Sequence, residues 1–281
     1  MNIEIIYEDK DIVVINKPPG VVVNEAKTAK EETIQSWFWE RNQQFKILER
    51  KDYAGLVPDD FDDSFGSPEE IFEFRQGIVH RLDKETSGIL LLAKNPGSLV
   101  NLLSQFKKRE TQKKYLCLAH GKFGVEADLI SAPVGRSTQN RMKFRVDVDG
   151  RESSTSYQVK EFYRGIDLEK LAQSGVGEEQ IKLLRKNKNS YQGFSLVECW
   201  PKTGRTHQIR VHMNHIKHPL VGDKLYLGKK RLKLDPIWCS RHFLHASQLS
   251  FTHPFTKKEA TFKANLTSDL EQVLKVLYEN K

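Results

Sequence analysis

The stretch His80-Arg81-Leu82-Asp83-Lys84-Glu85-Thr86-Ser87-Gly88 sets a carboxylate between two cations and runs directly into Ile89-Leu90-Leu91-Leu92-Ala93-Lys94. The apolar run reads as a buried strand, and the residues before it as the turn that feeds it. Thr86 and Ser87 can satisfy loop amides with their hydroxyls, and Gly88 can take a positive φ that a side chain would resist. Asp83 is therefore expected at the edge of a core, presented without being buried unpaired. Its type suits nucleophilic or acid–base work. An Asp-x-x-Thr-Ser-Gly sequence is also an ordinary hairpin turn, so the rest of the chain has to decide.

A second informative stretch is Pro201-Lys202-Thr203-Gly204-Arg205-Thr206-His207-Gln208-Ile209-Arg210-Val211-His212-Met213-Asn214-His215-Ile216. Ile209, Met213 and Ile216 share one face of a helix entered through Thr203-Gly204, with His207, Arg210 and Asn214 as a polar stripe beside it. An arginine next to a buried face is placed to meet a carboxylate on a sheet, and Asp83 is the expected partner. Taken by itself, the segment reads more simply as a solvated amphipathic helix. The histidines at 207, 212, 215 and 218 match no usual zinc spacing and have few carboxylates near them, so no metal is assigned.

Positive charge gathers in Lys107-Lys108-Arg109, Lys113-Lys114 and the alternating Arg141-Met142-Lys143-Phe144-Arg145-Val146. The first cluster also complements a helix C-terminus. Beside a strand-borne Tyr115, however, these residues suit contacts to a nucleic-acid backbone and base. The balance of the whole chain agrees: 45 Lys and Arg against 37 Asp and Glu give a formal charge of +8, which favours a polyanionic partner.

Several elements must hold these residues in place. Ile3 to Tyr7 and Asp11 to Asn16 read as short strands, stopped by Lys17-Pro18-Pro19-Gly20, after which Val21-Val22-Val23 is extended. Thr33 can cap a helix bearing Ile34, Trp37 and Phe38, and Asp52 to Glu73 reads as an acidic surface excursion broken by glycine and proline. Pro96 and Ser98 open a helix that carries Leu99, Leu102, Leu103 and Phe106. Strands are expected over Tyr115 to Ala119, Arg141 to Val146, Ser153 to Phe162 and Phe194 to Trp200. Leu168 to Lys188 is helical in composition, with a break at Gly175-Val176-Gly177. Phe243 to Ala246, Leu249 to Phe251 and Glu259 to Ala264 read as further strands, and a helix follows from Thr267.

At 281 residues the chain can bury a sizeable core. Its three cysteines, Cys117, Cys199 and Cys239, suggest neither a disulfide framework nor a zinc ribbon. The first residues do not resemble a secretory signal and no apolar run approaches membrane-spanning length, so a cytoplasmic protein with no membrane association is expected.

In that order, Tyr7 to Val22, His80-Arg81-Leu82-Asp83 with Thr86-Ser87-Gly88, Lys114-Tyr115, Gly204 to His212, His218-Pro219-Leu220-Val221-Gly222-Asp223 and Leu244-His245-Ala246 resemble the RluA-type RNA pseudouridine synthases. The resemblance implies an α+β fold with a mixed, largely antiparallel, bent β-sheet and flanking helices, forming two lobes around a basic catalytic cleft. It implies one catalytic domain over 1–281 with family-variable insertions at 31–76 and 165–192, and no N-terminal S4 domain. Asp83 matches the family's catalytic aspartate, Tyr115 its active-site tyrosine and Arg210 its carboxylate-pairing arginine. Arg81 matches the arginine that helps extrude the target nucleotide. RNA contacts are expected from His80, Lys107, Lys108, Arg109, Lys113, Lys114, Arg141, Lys143, Arg145, Arg205 and His207.

Uridine isomerisation on rRNA or tRNA would need no cofactor, because no group is lost and nothing is oxidised. It would need a carboxylate beside C1′, where positive charge develops as the glycosidic bond stretches. A monomer is expected. Two other readings remain. A non-catalytic RNA-binding protein would not require a carboxylate facing a polyanion. A nuclease or phosphotransferase would want clustered carboxylates or a glycine-rich phosphate loop, and neither is found in the sequence.

Overall fold

The computed structural model describes residues 1–25, 32–42 and 49–278. Position 31 of the expected 31–76 insertion, together with 43–48, lies outside the described residues. In chain order the strands are β1 (Glu4–Glu8), β2 (Ile12–Lys17), β3 (Ser87–Ala93), β4 (Gln112–His120), β5 (Ala127–Ser131), β6 (Val134–Arg136), β7 (Phe144–Val146), β8 (Ser154–Tyr163), β9 (Phe194–Pro201), β10 (Leu244–Thr252) and β11 (Glu259–Lys263). The α-helices are α1 (Ile34–Arg41), α2 (Pro68–Arg75), α3 (Pro96–Lys108), α4 (Leu168–Gln173), α5 (Glu178–Lys186), α6 (Gln208–His215), α7 (Lys229–Leu234) and α8 (Ser268–Lys275). The fold is α+β, with mostly antiparallel strands and flanking helices.

The chain divides into two compact units. The first comprises Met1–Lys113 and Ala246–Asn265, and the second Lys114–His245 and Leu266–Lys281. Strand β10 therefore begins in the second unit and continues in the first.

In the first unit β1, β2 and β3 are successive antiparallel neighbours, with Lys17 opposite Gly88, and β10 and β11 form an antiparallel pair. Every residue of β2 and β3 is buried, as their unbroken apolar runs require. Ile12, Val14, Ile89 and Leu91 pack with Leu99 and Leu102 of α3 and with Phe251. Asn95 caps α3 through the Ser98 amide, and Arg109 closes it in the left-handed region at φ 61°. Thr33 caps α1 with a reciprocal bond to Ser36. The acidic 52–73 segment is not wholly superficial: Tyr53, Leu56 and Phe72 are buried, and α2 packs against α3.

In the second unit β4 pairs with β9, β9 with β8, and β8 with β5, all antiparallel. A short separate pair, β6 with β7, lies beside them in sequence. The expected strand over Arg141 to Val146 is confined to Phe144–Val146, because Asn140 to Met142 turns: the Asn140 carboxamide oxygen accepts the Met142 amide. Leu171, Ile181 and Leu184 of α4 and α5 join Phe194, Trp238 and Leu270 in one core, and the two helices part at the glycines that suggested a break. Leu244 to Ala246 and Leu249 to Phe251 belong to one continuous strand, β10, and not to two, and Phe243 lies just before it.

Candidate active site

Asp83 sits half-buried on the loop that enters β3, and its carbonyl closes a turn by accepting the Thr86 amide at 3.0 Å. Next to it, the Lys84 carbonyl accepts from the Gly20 amide at 2.9 Å and from Lys17 Nζ at 3.0 Å. Lys17 is fully buried, and its Nζ also donates to the Pro18 and Val21 carbonyls at 2.7 and 2.9 Å. One amine head thus ties the end of β2 to the peptide that follows Asp83. Gly88 completes the seat at φ 113°, where a Cβ would lie 2.3 Å from the Ala246 carbonyl oxygen. Only glycine fits there.

His80, three residues earlier, is built into the same support. Its Nε2 accepts the Leu91 amide at 3.0 Å, so the ring proton is on Nδ1, and the ring stacks on Phe106 at 4.8 Å. Burial, followed by the Lys113 charge, pushes His80 down to about 3. The ring is uncharged at neutral pH and orients β3, while Arg81 beside it is exposed.

In the second unit Tyr115 lies on β4 directly opposite Cys199. Arg210 occupies α6 and is 4% exposed. Its Nε and Nη2 donate to the two oxygens of Asp223 at 2.7 and 2.8 Å, and its guanidinium lies 5.2 Å from the Tyr226 ring centre. Burial would raise the Asp223 carboxyl, but the Arg210 hydrogen bonds and charge outweigh it and hold the group below its ordinary range. His242 is buried nearby and is pushed down to about 3, first by that burial and then by the Arg210 charge.

The α6 helix starts later than the spacing suggested. Its cap is His207, in the left-handed region at φ 57°, with Nδ1 3.0 Å from the Tyr226 hydroxyl. Thr203 and Gly204 precede it, and the Thr203 hydroxyl donates to Gln208 Oε1 at 2.6 Å. The picture of a solvated amphipathic helix is overturned, because Gln208 through Met213 are all buried. Its polar residues face partners far away in sequence: His212 Nδ1 meets Thr155 Oγ1 at 2.9 Å, and Nε2 meets Ser153 Oγ at 3.0 Å.

Asp223, Tyr226 and His242 were not among the residues singled out for chemistry. Asp223 carried one legible signal: it is the only carboxylate between Glu198 and Asp235.

The sequence-predicted cations have varied surroundings. Lys108 pairs with Asp60 at 2.7 Å, Lys114 with Glu198 at 3.0 Å and Arg145 with Asp147 at 2.9 Å. Arg205 donates to the Glu152 carbonyl at 3.2 Å. Lys107 lies in the last turn of α3, Arg109 caps it, Arg141 is exposed and Lys143 is half-exposed. Lys113 is pushed down to about 8 by burial and by the Arg109 charge.

Among the described residues one group, Asp9, Asp11 and His253, presents ligand atoms close enough to share a metal ion. Its histidine is already committed: Nδ1 accepts the Phe255 and Thr256 amides at 3.2 and 3.3 Å, and Nε2 therefore donates to Asp9 at 2.8 Å. The group clips the 253–256 turn to the β1–β2 connection, and no metal is assigned to it. Among these residues no helix is long and apolar enough to cross a membrane.

Comparison with known proteins identifies a family and a fold. A family model described as RNA pseudouridylate synthase matches residues 11–215. A Bacillus subtilis (strain 168) protein named as an uncharacterized RNA pseudouridine synthase, YlyB, is 31% identical over 280 residues, spanning 100% of this chain and 74% of its own. Ribosomal large subunit pseudouridine synthase D of Zymomonas mobilis is 30% identical over 280 residues, covering 98% and 73% of the two chains. In fold, the chain is similar to human RNA Pseudouridylate Synthase Domain Containing 1, with a TM-score of 0.66, 23% identity and coverage of 99% and 89%.

Proposed function

From the premise that this chain belongs to the RNA pseudouridylate synthase family, an isomerase family acting on uridines in RNA, we propose that Asp83 is its catalytic carboxylate. The observation that carries the proposal is the family match over 11–215, the range in which Asp83, Tyr115 and Arg210 lie. The seat of Asp83 supports the same reading. Gly88, Lys17 and the Thr86 turn fix the peptides around a half-buried carboxylate, and a preorganised anion stabilises a developing cation without reorganising as the reaction proceeds.

In the reaction the C1′–N1 bond of uridine breaks, the uracil turns, C5 bonds to C1′, the C5 hydrogen leaves as a proton and N1 takes one up, so the product is an isomer. No redox partner takes part. Attack at C1′ and removal of a sugar proton both start from an ionised Asp83. We assign Tyr115 as the ring that stacks on the uracil and Arg210 as the counter-charge of the reaction. Arg81, exposed beside Asp83, is assigned to extrusion of the nucleotide, which costs a few kcal/mol for a stacked base. His80 enters as an orienting group. The name of the Zymomonas relative favours large-subunit ribosomal RNA as the substrate, and a cytoplasmic location and a monomeric enzyme are proposed with it.

The test is release of tritium from C5 of uridine-labelled total RNA taken from cells lacking this protein. Wild type should release it, and Asp83→Asn should lose release by several orders of magnitude while keeping its fold. Equal release by Asp83→Asn would remove Asp83 from the chemistry. Binding without any release by wild type would favour a non-catalytic RNA-binding protein.

A further inference from the structure

Between Gly222 and Asp235 the second unit carries a segment whose two ends are drawn together. At its start Asp223 holds Arg210, and its Oδ1 accepts the Leu225 amide at 3.1 Å. At its end Asp235, fully buried, accepts the Gly222 amide at 2.9 Å through Oδ2. The same oxygen lies 2.8 Å from His120 Nε2, and Oδ1 accepts the Tyr191 hydroxyl at 3.0 Å. Leu227 and Leu234 are buried within the segment. It is a closed excursion, pinned at the root by two inward-turned carboxylates and by its own leucines.

The charged side chains it shows to solvent are all basic, beside an exposed Leu232. Lys224, Lys229, Lys230 and Lys233 are exposed and Arg231 is half-exposed, and no acidic side chain lies between Asp223 and Asp235 to offset them. Among the described residues, Lys224, Lys229, Lys230 and Lys233 make no side-chain hydrogen bond or ion pair. Several cations singled out from the sequence differ in this respect. Lys108, Lys114 and Arg145 already hold Asp60, Glu198 and Asp147. A lysine bound to its own carboxylate must give it up before it can neutralise a phosphate, whereas an uncommitted lysine only releases counterions from the RNA. A fixed loop also spends little ordering entropy on binding.

We propose that the Lys224–Lys233 segment is an RNA backbone-binding element, engaging consecutive phosphates of a single strand or loop. The inference rests on the RNA-isomerase reading and adds to it a contact surface on the segment that follows the carboxylate holding Arg210. Phosphate engagement there pulls on a loop rooted at Asp223, so substrate binding and the setting of Arg210 share one anchor.

The test uses the full chain and a fluorescently labelled RNA hairpin, with affinity measured as a function of salt. Three variants are compared: wild type, the triple variant Lys229→Gln/Lys230→Gln/Lys233→Gln, and a charge-matched control, Lys170→Gln/Lys186→Gln/Lys188→Gln, which alters exposed lysines of the same unit. Three phosphate contacts contribute about two units to the slope of log K against log[salt] for single-stranded RNA. The triple variant should lose that slope and bind at least tenfold more weakly at low salt, while the control keeps the wild-type slope. An unchanged slope in the triple variant, or an equal fall in the control, overturns the proposal. Tritium release by wild type, measured alongside, keeps the two readings separate. Its absence would sink the isomerase assignment, whereas its presence with an unchanged slope would sink this one alone.

Discussion

Arg210 and Asp223 form an ion pair that is almost wholly withdrawn from solvent: 4% and 0% of their surfaces remain accessible. Replacing Asp223 by asparagine leaves a buried guanidinium without the Asp223 charge. Breaking such a pair costs about 3–5 kcal/mol, which denaturant unfolding should reveal. The pH dependence has a definite sign. Since Arg210 holds the Asp223 carboxyl below its unfolded value, the pair's stability is complete above the ordinary carboxylate range and is lost as pH falls through the lowered folded value. The gap in Tm between wild type and Asp223→Asn should therefore narrow in acid. A gap that stayed constant down to the folded value would mean the loss is one of packing and not of charge.

This residue-level picture was partly legible in advance. The turn that carries Asp83 announced itself through its turn formers and the apolar run after it. Asp223 did not, because its link to Arg210 depends on the chain leaving α6, passing through the turn at Gly222 (φ 72°) and returning, which no local periodicity encodes. The burial of α6 was hidden for a related reason. Gln208, Arg210 and His212 read as part of a wet amphipathic helix until Thr155, Ser153 and Asp223 are brought against them by the sheet and by that turn.

At the scale of elements, the Asp83 loop is held as much by β2 as by β3. Lys17 was read only as the last residue before a proline stop, yet its Nζ serves three carbonyls. Lys17→Met keeps the length of the side chain but removes those donors, and buried groups left unsatisfied cost about 1–3 kcal/mol each. A stability loss of roughly 2–4 kcal/mol is expected, because the Lys84 carbonyl retains the Gly20 amide. On the proposed role of Asp83, Lys17 positions the reacting group, so kcat should fall by about 10- to 100-fold with KM nearly unchanged. A rise in KM with kcat intact would assign Lys17 to RNA binding instead. Helix and strand periods were read well where one face is apolar, as in α3, β4 and β9. They were read poorly at β7, where alternating basic and apolar residues imitate a longer strand and the Asn140 turn cuts it short.

At the scale of the whole molecule, neither unit is a continuous piece of chain. The first needs Ala246–Asn265 to supply β10 and β11, and β10 is the neighbour of β3 on the side away from β2. A fragment ending at Lys113 would expose the edge of β3, Ser-Gly-Ile-Leu-Leu-Leu-Ala, whose residues are all buried in the intact protein. Such an edge is a template for association. The 1–113 fragment should elute as aggregate in size-exclusion chromatography and lack a cooperative melting transition. A monodisperse, cooperatively melting fragment would show that β1 to β3 and α1 to α3 suffice. The charge of the chain and its several basic clusters were visible from composition, whereas this division was not, since it depends on which distant strands become neighbours.

The split first unit also bears on biosynthesis. At translation rates of about 5–20 residues per second, the Ile89–Ala93 run is made on the order of ten seconds before Ala246 emerges to cover it. Through that interval the most apolar strand of the protein has β2 on one side and nothing permanent on the other. A ribosome that stalls or terminates before Ala246 leaves a chain whose first unit cannot close, and a nascent-chain chaperone or protease would meet the same exposed edge each time. Completion of the seat around Asp83, where Gly88 abuts the Ala246 carbonyl, is thereby tied to synthesis of the later strand. A chain assembled this way finishes the seat of Asp83 only after the later strand has been made.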